Sequence, residues 1–128
     1  MLSYLPRRIV VFRTDHSPKI FVPRVDHVSS PGSSPPSVVR PGGPWKVMTP
    51  LCVFRFDPDA QALRLESLHP GVSLDDVRSR TGFPVKAQAG TPVTPEPTAE
   101  QLEILRTRVC PAVAQIYPLF ARTAFLAA

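Results

Sequence analysis

At 128 residues the chain is long enough for one domain with a modest core and too short for two of ordinary size. Hydrophobic residues at 43% and charged residues at 20% describe a globular chain, and the 17 prolines that push it toward a disordered composition crowd into residues 30–44 and 84–97. The formal charge of +5 comes from arginines such as Arg7, Arg24, Arg55, Arg64 and Arg80, spread along the chain without interleaved aromatics; that excludes an ordinary nucleic-acid footprint and suits, in sign, an anionic ligand such as a phosphorylated cofactor.

The opening MLSYLPRRIVVF sets its charges after a very short apolar run and does not read as a secretory signal. RIVVFR (8–13) is a compact β-branched and aromatic run, as expected of a strand buried on both faces. KIFVPRVDHVSS (19–30) reads as a second extended segment, with Pro23 marking an edge, a bulge or a break. A proline-rich connection follows, and WKVMTPLCVFRF (45–56) is then a long strand interrupted at Pro50. The Asp57-Pro58-Asp59 turn and the alternating LRLESL complete a hairpin.

The stretch LHPGVSLDDVRSRTGF predicts a short helix with Ser73 as N-cap and Asp76 closing a capping box. Asp75 and Asp76 complement the helix dipole, Val72 is placed to staple against Val77, and Gly82 is placed for a left-handed C-terminal turn. A second helix is expected over Pro97–Val109, capped by Thr98 with Gln101 and stopped by Pro111. These alternating elements point to a mixed α/β layer structure. The tail, 110–128, is apolar but holds Pro118 and Arg122, which argues against a membrane span and for a docking helix or a disordered end. The domain division expected is therefore 1–109 and 110–128.

The chemistry-bearing residues mostly have structural explanations. Asp57 and Asp59 belong to a turn, Asp75 and Asp76 to a helix start, and Glu66 to the wet side of a strand; Glu96, Glu100 and Glu103 lie on or before a helix, leaving Asp15 and Asp26 without a partner in view. His16, His27 and His69 lack the spacing of a zinc site, and Cys52 and Cys110 form neither a metal pair nor a disulfide framework, so a reducing, cytoplasmic setting is expected. No catalytic residue and no metal ligand is assigned. His69, which with Pro70 and Gly71 ends a strand where α/β proteins place ligand-meeting loops, is the candidate contact to a cofactor or ligand together with Gly71; its alternative role is to bond backbone and fix that loop. PGGP (41–44) lacks the flanking strand, helix and Lys-Ser/Thr of a phosphate loop.

His69-Pro70-Gly71-Val72, the acidic helix and Thr81-Gly82-Phe83 resemble the C-terminal signature of the β subunits of family I CoA-transferases. GGPWKVMTPLCVFRFDPD, FVPRVDHVSSPG and PTAEQLEILR are similar to further segments of that family, so that the resemblance covers roughly Arg8 to Val109. It is nearest to the glutaconate CoA-transferase-like β subunits and to the corresponding subunits of steroid-ring-opening CoA hydrolases. The resemblance implies the C-terminal part of an open α/β CoA-transferase sheet with a β-hairpin and two short helices, and a partner α subunit. It also implies a coenzyme A thioester as substrate rather than a permanently bound cofactor. In the transferases a glutamate attacks the thioester; in the hydrolase branch water opens a cyclic ketone of a CoA ester. No glutamate here matches the family's nucleophile motif, and Pro50 stands where the family commonly has aspartate. The expectation is thus a β-type subunit, shortened and completed by partner chains, that moves CoA between an acyl-CoA and a carboxylic acid. The alternatives are a ring-opening hydrolase subunit and a non-enzymatic remnant or interaction module.

Overall fold

The computed structural model describes residues 5–125; residues 1–4 and 126–128, the start of the N-terminal segment and the end of the tail, lie outside the described residues. By packing, the chain divides into two compact units, Met1–Thr94 and Pro95–Ala128.

The first unit is built on a mixed, open four-stranded sheet in the order β1 (Arg8–Phe12), β2 (Gly43–Met48), β3 (Cys52–Asp57) and β4 (Ala62–Leu68). β1 runs parallel to β2, whereas β2, β3 and β4 form an antiparallel meander. The interruption at Pro50 is a full reversal that separates two paired strands. Pro50 has no N–H to give a ladder, and the Thr49 hydroxyl oxygen instead accepts from the Leu51 and Cys52 amides at 3.2 and 3.1 Å. At the next turn Asp57 Oδ1 accepts from the amides of Asp59 and Ala60, both at 3.0 Å, and Gln61 takes a left-handed backbone with φ 49°.

Two expectations for the early chain are corrected. Residues 19–30 hold no strand: Pro18 and Pro23 remove donors, and the chain turns at Ser17, whose carbonyl accepts from Ile20 and Phe21. β1 is a strand but is not buried on both faces, and Val10, Val11 and Phe12 are 48%, 41% and 64% exposed. It is the end strand of the order and pairs only with β2 among the described residues. The opposite edge is covered: Leu65 and Leu68 of β4 donate to the carbonyls of Lys86 and Pro92, and Thr94 donates back to Leu68.

The core lies on one face of the sheet, where Phe21, Cys52, Phe54, Leu65 and Val77 are buried and Val72, Leu74 and Phe83 pack against them. Val77 comes from α1 (Leu74–Ser79), whose N-cap Ser73 and Asp76 form the expected capping box. Gly82 is not the left-handed C-terminal residue. Its amide donates to the Phe21 carbonyl at 2.6 Å, and a Cβ there would lie 2.5 Å from that oxygen, so close approach rather than backbone handedness requires glycine.

In the second unit, α2 (Ala99–Ile104) carries the expected Thr98 and Gln101 capping box. Pro111 does not stop the helical run. A π-helical turn, Leu105–Val109, leads directly into α3 (Cys110–Ile116), with Pro111 in the first turn, where a missing N–H is tolerated. The break comes at Tyr117 (φ −129°, ψ 68°), which Pro118 disfavours from helical backbone, and α4 (Pro118–Phe125) follows. The run thus passes through the expected boundary at 109/110. No helix among the described residues is long and apolar enough to cross a membrane.

Candidate functional site

His69 follows β4, at the end of the sheet where the Thr49–Leu51 reversal also sits. Its amide donates to the Leu51 carbonyl at 2.9 Å. Pro70 and Gly71 then make a tight turn in which Val72 donates to the His69 carbonyl at 3.1 Å and Gly71 has φ 78°. Proline followed by a left-handed glycine is type II turn chemistry. A Cβ at Gly71 would meet nothing within 4 Å, so backbone handedness alone demands glycine there.

Both ring nitrogens of His69 are engaged. Nε2 lies 2.8 Å from the Thr49 carbonyl, which only accepts, so Nε2 carries the proton. Nδ1 is then an acceptor for the Thr94 hydroxyl at 3.0 Å, and Ser67 Oγ, at 2.7 Å, donates to Thr94 in turn. The tautomer is fixed by its neighbours, and the imidazole ties the end of β4 to the β2–β3 reversal and to the 86–94 segment.

Thr49 links this histidine to a second one. His16, 4% exposed, places Nδ1 2.9 Å from Thr49 Oγ1 and Nε2 2.9 Å from Thr81 Oγ1. Thr81 gives its own proton to the Val77 carbonyl at 2.7 Å, so His16 Nε2 donates to Thr81, while Nδ1 and the Cys52 carbonyl, at 2.9 and 3.1 Å, both face the one hydroxyl proton of Thr49. Since Thr49 Oγ1 already accepts two backbone amides, a third donor from a charged imidazolium would crowd it. The ring also stacks on Phe21 with centroids 4.3 Å apart. Burial, together with the Arg80 charge and against the pull of Asp15, lowers the His16 pKa from its ordinary value. The result is a neutral, buried histidine that joins the segment before Phe21, the β2–β3 reversal and the C-terminal end of α1.

The other candidates stand apart from this network. Asp15 accepts from Ser17 Oγ at 2.9 Å and is exposed, and Asp26 and His27 are exposed. The Asp57 carboxyl is held below its ordinary range chiefly by the Ala60 amide, and that of Asp76 by Ser73; these are the turn and the cap read from the sequence. Glu66 reaches Lys46 at 2.5 Å. Cys52 is fully buried, and burial pushes its thiol up to about 11, far from the thiolate a nucleophile needs. No group of three or more histidine, cysteine or acidic side chains among the described residues is arranged to hold a metal ion. Thr49, Ser67, Thr81 and Thr94 are not legible in the sequence as network members, because ordinary threonines and serines acquire meaning only from distant partners. The one local signal is Thr49 directly before Pro50.

No family model matches the chain. It is 36% identical, over 71% of its length, to a cholesterol ring-cleaving hydrolase IpdB subunit from Rhodococcus jostii strain RHA1, covering 38% of that protein. It is 28% identical to the β subunit of a 3-oxoadipate CoA-transferase from Pseudomonas knackmussii, over 77% of this chain and 39% of the relative. Among solved structures, Rhodococcus jostii RHA1 IpdAB superposes with a TM-score of 0.67 at 32% identity, over 78% of this chain and 42% of that one. Glutaconate coenzyme A-transferase from Acidaminococcus fermentans gives 0.63 at 26%, over 82% and 42%. The chain therefore spans about two fifths of the length of the proteins it matches. Over that part, with its open α/β sheet, the chain is similar in sequence and fold to the B-type subunits of the family I CoA-transferases.

Proposed function

We propose that this chain supplies scaffold, and part of the subunit interface around His69–Phe83, to a β-type subunit that acts with an α subunit on a coenzyme A thioester in the cytoplasm. The observation that carries this reading is the superposition on IpdAB at a TM-score of 0.67 and 32% identity. The sheet unit holds the His69–Val72 turn rigidly through both histidines, so its role in the assembly is to present a fixed loop, with His69 and Gly71 the candidate contacts to the thioester. The free thiols of Cys52 and Cys110 suit a reducing compartment. The tail is the proposed docking segment for the partner: Ile116, Tyr117 and Leu119 expose 71%, 63% and 77% of their surface.

Two reactions fit such a subunit. The first is transfer of CoA between an acyl-CoA and a carboxylic acid. The second, hydrolytic opening of a ring on a CoA ester, is favoured by the higher identity to the ring-cleaving hydrolase subunit, 36% against 28% for the transferase subunit. The test is reconstitution with the cognate α subunit. Mixtures are assayed for CoA exchange between an acyl-CoA donor and a carboxylate, and separately for consumption of a cyclic-ketone acyl-CoA. Activity is expected only in the reconstituted complex. A stable complex inert in both assays would reduce the chain to a non-enzymatic interaction module.

A further inference from the structure

The basic residues that look scattered in the sequence are brought into line by strand register. Lys46 of β2 pairs with Arg55 of β3, and Arg55 pairs in turn with Arg64 of β4. Arg64 then bridges to Lys86 of the segment covering the edge of β4. Residues directly opposite one another share a face, so these four cations form one row across the sheet, on the side away from the Phe54 core. With strands about 4.8 Å apart, Arg55 and Lys86 are separated by about 10 Å at the backbone, with Arg64 between them.

Like charges directly opposite one another destabilise a sheet, and here three successive pairs are alike. Two carboxylates offset part of the row: Glu66 takes Lys46 at 2.5 Å, and Asp57 takes Arg64 at 3.1 Å through Nε alone. That contact leaves the Nη groups of Arg64 uncommitted, and the side chains of Arg55 and Lys86 have neither a hydrogen bond nor a salt bridge among the described residues. Asp57 also feels the charge of Lys86, so four cations set against two carboxylates leave the row a net charge of +2. They do not sit on a flat surface: Arg55, Arg64, Lys86, Glu66 and Gln88 line an open groove of about 410 Å³.

We propose that this groove is a binding site for a diphosphate group, sharing no side chain with the histidine network. A dianionic or more highly charged group laid across Arg55, Arg64 and Lys86 matches the residual charge. Its two phosphoryl units match the length of the row better than a single phosphate does, and guanidinium groups bond phosphate oxygens in a bidentate manner. Gln88 adds a neutral amide at the rim. The site stands whether or not the chain acts on a CoA thioester, because its probe is inorganic.

Titration calorimetry of the full chain with pyrophosphate at low ionic strength, paired with thermal unfolding, tests the assignment. Pyrophosphate is expected to bind and to raise Tm, and orthophosphate to bind at least five-fold more weakly. The double variant Arg55→Gln/Lys86→Gln should lose at least ten-fold in pyrophosphate affinity, while its ligand-free Tm is equal to or above that of the parent because repulsion in the row is relieved. Arg106→Gln/Arg108→Gln, which removes the same charge from the helical unit, should keep the affinity. Equal losses in the two double variants would reduce the effect to net charge and overturn the site. Absence of binding, or equal affinity for orthophosphate, would overturn the diphosphate assignment.

Discussion

β1 and β3 are similar runs of sequence with opposite fates. RIVVF and CVFRF are both short, rich in apolar β-formers and interrupted or flanked by arginine. Yet Cys52, Val53 and Phe54 are buried, while Val10, Val11 and Phe12 are exposed. β3 has a partner on each side and helix α1 contributing Val77 to its core face, whereas β1 has one partner and an open edge among the described residues. Composition sets what a strand is able to bury; neighbours decide what it does bury.

The sharpest way to break this contrast is truncation in each strand. Phe54→Ala removes a fully buried ring from the centre of the core and should cost about 3–5 kcal/mol in urea unfolding. Val11→Ala, on β1, should cost no more than about 0.5 kcal/mol. Equal costs would mean that β1 is buried in solution by something else, a partner chain or a second copy.

Thr49→Val comes next. The change keeps the shape and removes the hydroxyl shared by His16 and two backbone amides, which should cost about 1–3 kcal/mol by leaving those groups unsatisfied. A loss below about 0.5 kcal/mol would show that the network is ornamental to stability.

A smaller effect is expected from pH. His16 has a lower pKa folded than unfolded, so the unfolded chain binds the proton more readily. The stabilisation is therefore complete above the unfolded value of about 6.5 and is lost as pH falls from there through the folded pKa. Urea midpoints between pH 7.5 and 5.5 should fall more steeply for the parent than for His16→Gln, and parallel curves would remove His16 from the account. The smallest change is Val11→Thr, expected within about 0.5 kcal/mol of the parent. Its visible effect should be reduced self-association by light scattering, since it makes an apolar edge more polar.

How far the fold is readable follows the range of the interactions. Both capping boxes, the Asp-Pro hairpin and the His-Pro-Gly turn are legible because each is closed within about four residues by side chains whose chemistry is local. The 19–30 segment misleads because its extended pattern is real but Phe21 is claimed by a distant core, and Gly82 because its reason is the Phe21 carbonyl rather than its own turn. The expected helix end at Pro111 fails because a π-helical turn accommodates the ring, a choice with no local sequence mark. At the site, His69 is visible from its turn. His16 and the threonines that hold it are not, since His16 and Thr81 are 65 residues apart. The row of cations is hidden in the same way, with register and not sequence proximity assembling it.

The parallel pairing of β1 with β2 also has a kinetic consequence. Thirty residues without a helix or strand join Phe12 to Gly43, while four residues close the β3–β4 hairpin. Closing the longer loop costs about 2 kcal/mol more in chain entropy, and its reward is one half-exposed strand. The meander should therefore assemble first and β1 dock last. Pulse-labelled hydrogen exchange during refolding would then show the β3 and β4 amides acquiring protection before the N–H groups through which β1 holds β2, giving a folding intermediate that already contains the His69 turn but not yet the edge of the sheet.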